Sequence, residues 1–432
     1  ELGLQSGVRA PAGHDSGRSR HLADVLDQIG RRYGEAIDGG FGRTQRCTSG
    51  YNLRELREPT PNLARLLVGS EGTLAVFSEL EVALDPKPSH RLGAALAFRD
   101  LRRALTANVA ILDTGPSAVE LLDLEPLRRA PHLRTFPVVV PLLEGDHRAV
   151  LVVEYQGDEE EARSGLARLG EIAADVSADA TLWLDTPVSL AQAGALRRAA
   201  LPLLMGAPGA ERPATFVEDT AVAPDRLADF VGAFEELLAA HGLRASFTGH
   251  ASAGCLHVRP LLDLKTESGV AHLSALSREV ADLVAEHQGV ISGEHGCGRP
   301  RSCRLPTSLG RDLYEAMVAV KDAFDPRRLL NPGVIVGGAS VTEGLRFGTG
   351  YKANGAWTPR LSYEAEGGFD LAIERCFGAG LCKKLDGTMC PPAAVGRDEV
   401  LSTRARANAL QGVLSGAIPL AAVSELSLIH IS

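Results

Sequence analysis

Four residues able to bind a metal or carry a proton fall in two short stretches. His250 and His257 lie within Gly249–Arg259, and the pair Glu294-His295 lies within Ser292–Gly298. Two imidazoles and a carboxylate are the donor set of an open divalent-metal site, in which three protein ligands leave a position for substrate. An imidazole beside such a site has the titration range for proton transfer. Side chains alternate along a strand, so His250 and His257 cannot share one face of a straight strand. Ala253-Gly254 between them offers a turn, and a tight hairpin would bring the two rings together from neighbouring strands. Gly293 and Gly296 permit a bend around Glu294-His295. The same residues would also serve as turn and core histidines, and spacing alone leaves both readings open.

A second group is made of thiols. Cys376, Cys382 and Cys390 lie close together, whereas Cys47, Cys255, Cys297 and Cys303 are scattered. An odd count, with no signal-peptide apolar stretch in Glu1–Arg20, argues against a disulfide framework. The run from Cys376 to Cys390-Pro391 resembles a ferredoxin cluster loop ending in proline. Ala379 occupies the second-ligand position, however, and the gap before Cys390 is longer. Three thiolates are too few for a four-cysteine cluster, and zinc is the competing occupant. Of the scattered cysteines, only Cys297, beside His295, invites a test.

Several elements must position these groups. Apolar residues at Leu22, Val25, Leu26 and Ile29 predict a helix over Arg20–Tyr33. Period-two apolar residues predict a strand over Leu74–Leu84, before Pro86 and Pro88 mark a domain boundary. Gly39-Gly40-Phe41-Gly42 reads as a loop. Strands are expected over Leu92–Phe98, Ala149–Tyr155 and Thr215–Val222, and a helix over Asp158–Ala174. Pro224 opens a helix that Gly242 stops, a second runs over Val270–His287, and a third from about Leu309 to Ala323. The result is an α+β domain rather than a βαβ array. Gly337–Gly368 reads as a linker, and Ser402–Leu410 as a helix start. Leu426–Ser432 matches a translated transposon end used in sequencing-library preparation and is expected to be artefactual, the alternative being a short apolar tail.

Composition narrows the function classes. The 432 residues are 45% hydrophobic and 23% charged, with a net charge of −9, so duplex nucleic acid and anionic membrane are poor partners. No apolar run approaches the ~20 residues of a membrane span. A cytoplasmic protein, docked at most peripherally at the inner face of a membrane, is expected.

Four stretches in order carry a family resemblance: Leu67–Leu74 (LVGSEGTL), the histidine hairpin, Gly293-Glu294-His295-Gly296, and Phe324-Asp325-Pro326 followed by Leu330-Asn331-Pro332-Gly333. Together they resemble FAD-linked oxidases of the vanillyl-alcohol oxidase type, in the D-lactate and D-2-hydroxyglutarate dehydrogenase branch, fused to a 4Fe-4S domain. The resemblance implies residues 1–86 as the end of a PCMH-type FAD-binding domain and 87–336 as an FAD-linked oxidase C-terminal domain, a ferredoxin-like cap. It further implies 337–368 as linker and 369–425 as a truncated helical 4Fe-4S domain. It makes His250, His257 and Glu294 ligands of a zinc-like ion, His295 the base and Arg197 the anchor of the substrate carboxylate, with Arg198 close enough to be mistaken for it. Gly69, Ser70, Glu71, Gly72, Thr73 and Asn331 would face FAD, and Cys376, Cys382 and Cys390 would hold an incomplete iron–sulfur cluster. The implied reaction takes a small D-2-hydroxy acid to its 2-oxo acid. Electrons would pass to an acceptor such as a quinone, cytochrome or flavoprotein. The family's pyrophosphate-binding glycine loop is expected upstream of Glu1. Three departures weaken a diacid substrate: Ala253 and Cys255 in a run often more polar, Arg259 where Asn is common, and Val217 where hydroxyglutarate-specific enzymes carry lysine. Glycolate or another alcohol, and a non-catalytic electron-transfer adaptor, are the alternatives.

Overall fold

A computed structural model describes residues 17–128, 140–143, 145–207, 209–353, 359–384 and 390–423. The expectation for Leu426–Ser432 lies outside these residues.

Eight strands form the centre: β1 (His90–Phe98), β2 (Ala118–Asp123), β3 (Ala149–Gly157), β4 (Ala180–Leu184), β5 (Arg212–Pro213), β6 (Thr220–Ala221), β7 (Ala245–His250) and β8 (Cys255–Leu262). Their order is β4-β1-β3-β2-β7-β8-β5, with β6 also beside β8. Every pairing between these strands is antiparallel, which fits the α+β expectation.

The larger helices are α1 (Gly17–Arg32), α2 (Leu101–Leu112), α3 (Glu159–Ile172), α4 (Pro187–Met205), α5 (Leu227–Ala240), α6 (Glu267–Glu286), α7 (Arg311–Phe324) and α8 (Thr403–Leu414). Most start where the sequence offers an acceptor for orphan amides. Asp100 caps α2, Asp158 closes a capping box on α3, and Thr186 does so on α4, where Pro187 takes the first turn. Among the described residues no helix is long and apolar enough to cross a membrane.

The alternation of side chains divides the sheet into two faces. Ala94, Leu96, Phe98, Val119, Leu121, Leu151, Val153 and Phe247 face a large core shared with α2, α5, α6 and α7. Ala95, Ala97, Leu122, Val150 and Leu184 face a smaller core closed by Leu190, Ala193, Leu196, Ala200 and Leu203 of α4. Burying a leucine completely stabilises by about 2 kcal/mol, so α4 is held firmly against this second face. The functional side chains emerge where this smaller core ends.

Three expectations are corrected. Leu74–Leu84 forms no strand: Val76, Leu80, Val82 and Leu84 are 84%, 72%, 69% and 87% exposed. The alternation is present, but no neighbouring strand among the described residues takes its backbone hydrogen bonds, and a lone strand is unstable in water. Thr215–Val222 is a turn rather than a strand, with only Thr220–Ala221 paired to β8. Asp219 there has φ 79°, which ends extended backbone. Gly39 and Gly40 close a short helix, Gly34–Gly40, rather than a loop. A Cβ on Gly40 would stand 2.6 Å from Leu313 Cδ2, so glycine lets the chain pass against α7.

Candidate active site

The histidine hairpin forms as its spacing implies. β7 and β8 are joined by a turn at Ala251–Ala253, and Gly254 supplies φ 69°. In the register His250 pairs with Cys255 and Thr248 with His257, so both imidazoles project from the face that carries α4. Their ring centroids are 5.3 Å apart.

The Gly293–Gly296 turn brings Glu294 to them. Glu294 Oε1 lies 2.9 Å from His250 Nε2, 3.4 Å from His257 Nε2 and 3.5 Å from His295 Nε2. Three imidazoles therefore converge on one carboxylate oxygen. Arg46 takes the other oxygen, Oε2, in an ion pair. His295 stacks on His257, with centroids 4.7 Å apart and planes 14° from parallel, and its own ring is 38% exposed.

Asp219 is the anchor of this turn, and sequence reasoning missed it. It is fully buried and accepts hydrogen bonds from the backbone amides of Glu294 and His295 and from the Ser292 hydroxyl at 3.0, 2.8 and 2.7 Å. Cys255 Sγ also donates to it. Glu218, also missed, sits behind His295 with Oε1 3.6 Å from Nδ1, and pairs with Arg259 at 2.8 Å. Glu120 on β2 lies behind His250. No local motif marks any of these acids. The one usable signal is an Asp at a turn between short strands.

Electrostatics separate the imidazoles. Burial, reinforced by His295 and Arg259, pushes His257 down to about 2, so it is a neutral donor. His295 is raised, because the Glu218 carboxylate beside it outweighs partial burial. Burial works to raise Glu218, but His295 and Arg259 outweigh it and hold the carboxyl below its usual range. Burial pushes the Cys297 thiol up to about 12 and the Cys255 thiol higher still. Neither is a nucleophile at neutral pH.

The tightest donor group is not the expected one. One ligand atom each from Asp219, Cys255, His257 and Glu294 lies within 4.8 Å of the others. Asp219 is already committed to two backbone amides and a hydroxyl, and Cys255 Sγ donates to it. His257 and Glu294 stand together with His250 as their neighbour, and His257 Nδ1 is buried without a partner among the described residues. In a tetrahedral zinc site with bonds of 2.0–2.1 Å, donor atoms stand roughly 3.3 Å apart. The two spacings from Glu294 Oε1, 2.9 Å to His250 Nε2 and 3.4 Å to His257 Nε2, bracket that value, and two imidazoles with a carboxylate are a donor set suited to a divalent cation.

Arg197, and not Arg198, reaches the cluster. From α4 its Nη2 lies 3.1 Å from His250 Nδ1, and its Nε lies 3.0 Å from Glu120 Oε2. That second contact is an ion pair rather than an aligned hydrogen bond, since Oε2 has no hydrogen-bond partner. The Arg197 side chain is 44% exposed and keeps surface for an anion. Val217 is core, 5% exposed; the neighbour that faces His295 is Glu218.

The glycine loop lies next to the His295 turn. Gly69, Glu71 and Gly72 have φ 77°, 53° and 67°, and among the described residues nothing stands within 4 Å of a Cβ at either glycine. Bare backbone facing open space is what a flat cofactor needs for close approach. Thr73 is bonded to Tyr51, and Ser70 Oγ is buried without a partner. Glu71 directs its carboxylate away from the loop, accepting from the Cys297 and Gly298 amides at 2.7 and 2.8 Å. Asn331 Nδ2 donates to Glu71 O at 2.7 Å. Lys321, buried, ties Thr73 O to Leu330 O.

Residues 87–335 match the family model of FAD linked oxidases, C-terminal domain. The chain belongs to that family. Within this FAD-linked oxidase family it is 31% identical to D-2-hydroxyglutarate dehydrogenase of Pseudomonas putida over 95% of this chain and 41% of the relative. It is 31% identical to the protein of the same name from Escherichia coli, over 89% of this chain and 39% of the relative. It is 28% identical to D-lactate dehydrogenase of Anaerostipes hadrus, over 63% of this chain and 56% of the relative. The FAD-linked oxidase chain thus spans about two fifths of the length of its D-2-hydroxyglutarate dehydrogenase relatives.

Cys376 and Cys382 are half-buried and Cys390 is buried, all three as free thiols. Cys390 Sγ donates to Leu401 O, and hydrogen bonding from Thr403 holds its pKa below the usual thiol range. Arg404 donates to Gly378 O between Cys376 and Cys382 and is itself paired with Glu399.

Proposed function

We propose that this chain is the substrate-side part of a flavin-dependent dehydrogenase that oxidises a D-2-hydroxy acid to the 2-oxo acid. The observation that carries the reading is the convergence of His250, His257 and His295 on Glu294 Oε1 beside the part-exposed Arg197. The names of the relatives supply the substrate class.

His250, His257 and Glu294 would hold a divalent cation, which lowers the pKa of a bound hydroxyl. Arg197 binds the substrate carboxylate through its planar fork. His295 takes the hydroxyl proton at Nε2. Glu218 keeps that ring oriented through Nδ1 and favours the imidazolium that results. FAD would supply the hydride acceptor for the substrate Cα, and Gly69–Thr73 with Asn331 would hold it, chiefly through backbone.

Electrons would leave to a quinone, cytochrome or flavoprotein acceptor. Cys376, Cys382 and Cys390 would contribute to a 4Fe-4S relay along that route. A cytoplasmic enzyme docked at the inner face of the membrane fits such an acceptor.

The test is flavin reduction in the full-length gene product, with D-lactate, D-2-hydroxyglutarate and glycolate supplied against a dye acceptor. His295→Ala should abolish reduction by substrate while flavin stays bound; undiminished reduction removes His295 as the base. Chelation should stop turnover and added zinc restore it. Indifference to the chelator would dismiss the metal.

A further inference from the structure

Glu120 sits on a central strand, where its apolar neighbours Val119, Leu121 and Leu122 serve the core. In β2, Val119 and Leu121 enter the large core and Leu122 the small one. The register sets Glu120 directly across from His250, and directly opposed residues of an antiparallel pair project from the same face. That face carries α4, so Arg197 descends on the same carboxylate. His250 Nδ1 lies 2.9 Å from Glu120 Oε1 and Arg197 Nε lies 3.0 Å from Oε2, with the Glu120 side chain only 12% exposed.

A carboxylate removed from water is costly unless both oxygens meet partners. Glu120 meets two, and each bears on the chemistry. A neutral imidazole donates from one nitrogen only. Nδ1 is nearer to Glu120 Oε1, at 2.9 Å, than to the Arg197 Nη2 donor, at 3.1 Å. With Nδ1–H given to Glu120, the Arg197 contact is electrostatic and the lone pair of His250 rests on Nε2, the atom that faces Glu294. Metal-bound histidines are oriented by such partners. The second oxygen keeps the Arg197 guanidinium at the rim of the same site.

We propose that Glu120 is a positioning residue that fixes the tautomer and aim of His250 for a divalent cation and holds Arg197 beside it. One carboxylate thereby registers the cation site against the substrate's carboxylate anchor. This rests on the metal reading given above, which can fail separately.

The experiment is zinc affinity of the full-length gene product, measured by competition with a chromophoric chelator, for wild type, His257→Ala, Glu120→Ala and Glu120→Gln. His257→Ala should lose binding. Glu120→Ala should weaken it about 10- to 100-fold, the scale set by loss of an outer-shell partner. Glu120→Gln keeps an acceptor oxygen opposite Nδ1 and should retain most of the affinity. At saturating zinc, Glu120→Ala should raise KM for the hydroxy acid that the wild type oxidises more than it lowers kcat. A merely structural role would lower the unfolding temperature of the zinc-free protein and leave zinc affinity alone. Wild-type affinity in Glu120→Ala while His257→Ala loses zinc overturns the proposal and spares the metal reading. Equal loss in both Glu120 variants also overturns it. Wild-type affinity in His257→Ala sinks the metal reading and this inference together.

Discussion

The histidine cluster and the cysteine segment are both collections of side chains of the types that can bind metal, yet they are built differently. Behind the cluster stand Glu120, Glu218, Asp219 and Arg46, each touching side chains or backbone amides of the site. These supports come from β2, from the turn before β6 and from the stretch ahead of the sheet. Around Cys376, Cys382 and Cys390 the polar support is mostly local: Arg404, Glu399 and Thr403 lie within one short stretch of chain, while Lys265 reaches in from outside it to Glu374, two residues before Cys376. A site held from several directions has its donors aimed before any ligand arrives. One held by its own neighbours takes the shape of its local fold.

The largest effect should come from Asp219→Ala. It strands two buried amides and a hydroxyl at about 1–3 kcal/mol each, so equilibrium unfolding in urea should show a loss on the order of 4 kcal/mol. A loss under about 1 kcal/mol would erase the contrast. A smaller effect is expected in the cysteine segment on acidification. Glu399 is held down to about 2, chiefly by Arg404. Because its folded pKa is depressed, its contribution is complete above the unfolded carboxyl range and is lost as pH falls from about 4.5 towards 2. Labelling of Cys390 by dithiodipyridine should accelerate over that window, and Glu399→Gln should flatten the acceleration. The smallest effect is Cys382→Ser, which should leave global stability within ~0.5 kcal/mol. A larger change would show that the segment is braced from afar after all.

The hairpin could be read in sequence because its determinants are local: two histidines, a glycine between them and apolar residues on alternate positions. The long helices were legible through their apolar faces and stop residues. The outer supports were not, because they act across the sheet. Glu120 meets His250 across 130 residues, and Arg46 meets Glu294 across 248. A lone acid in a strand carries no motif; only strand register reveals its partner. The misread strand at Leu74–Leu84 has the converse origin. Alternation records which side of a strand would be buried, whereas pairing decides whether the strand exists. Thr215–Val222 failed for a third reason: Asp219 is spent on anchoring amides, a task that bends the chain.

The carboxylate of Glu71 leaves the glycine loop and grips the two amides that follow His295-Gly296. The glycine loop and the turn that carries His295 are consequently bolted to one another by one short side chain. Shortening that linkage by one methylene, as in Glu71→Asp, would loosen both parts at once, so neither can drift out of alignment without carrying the other along.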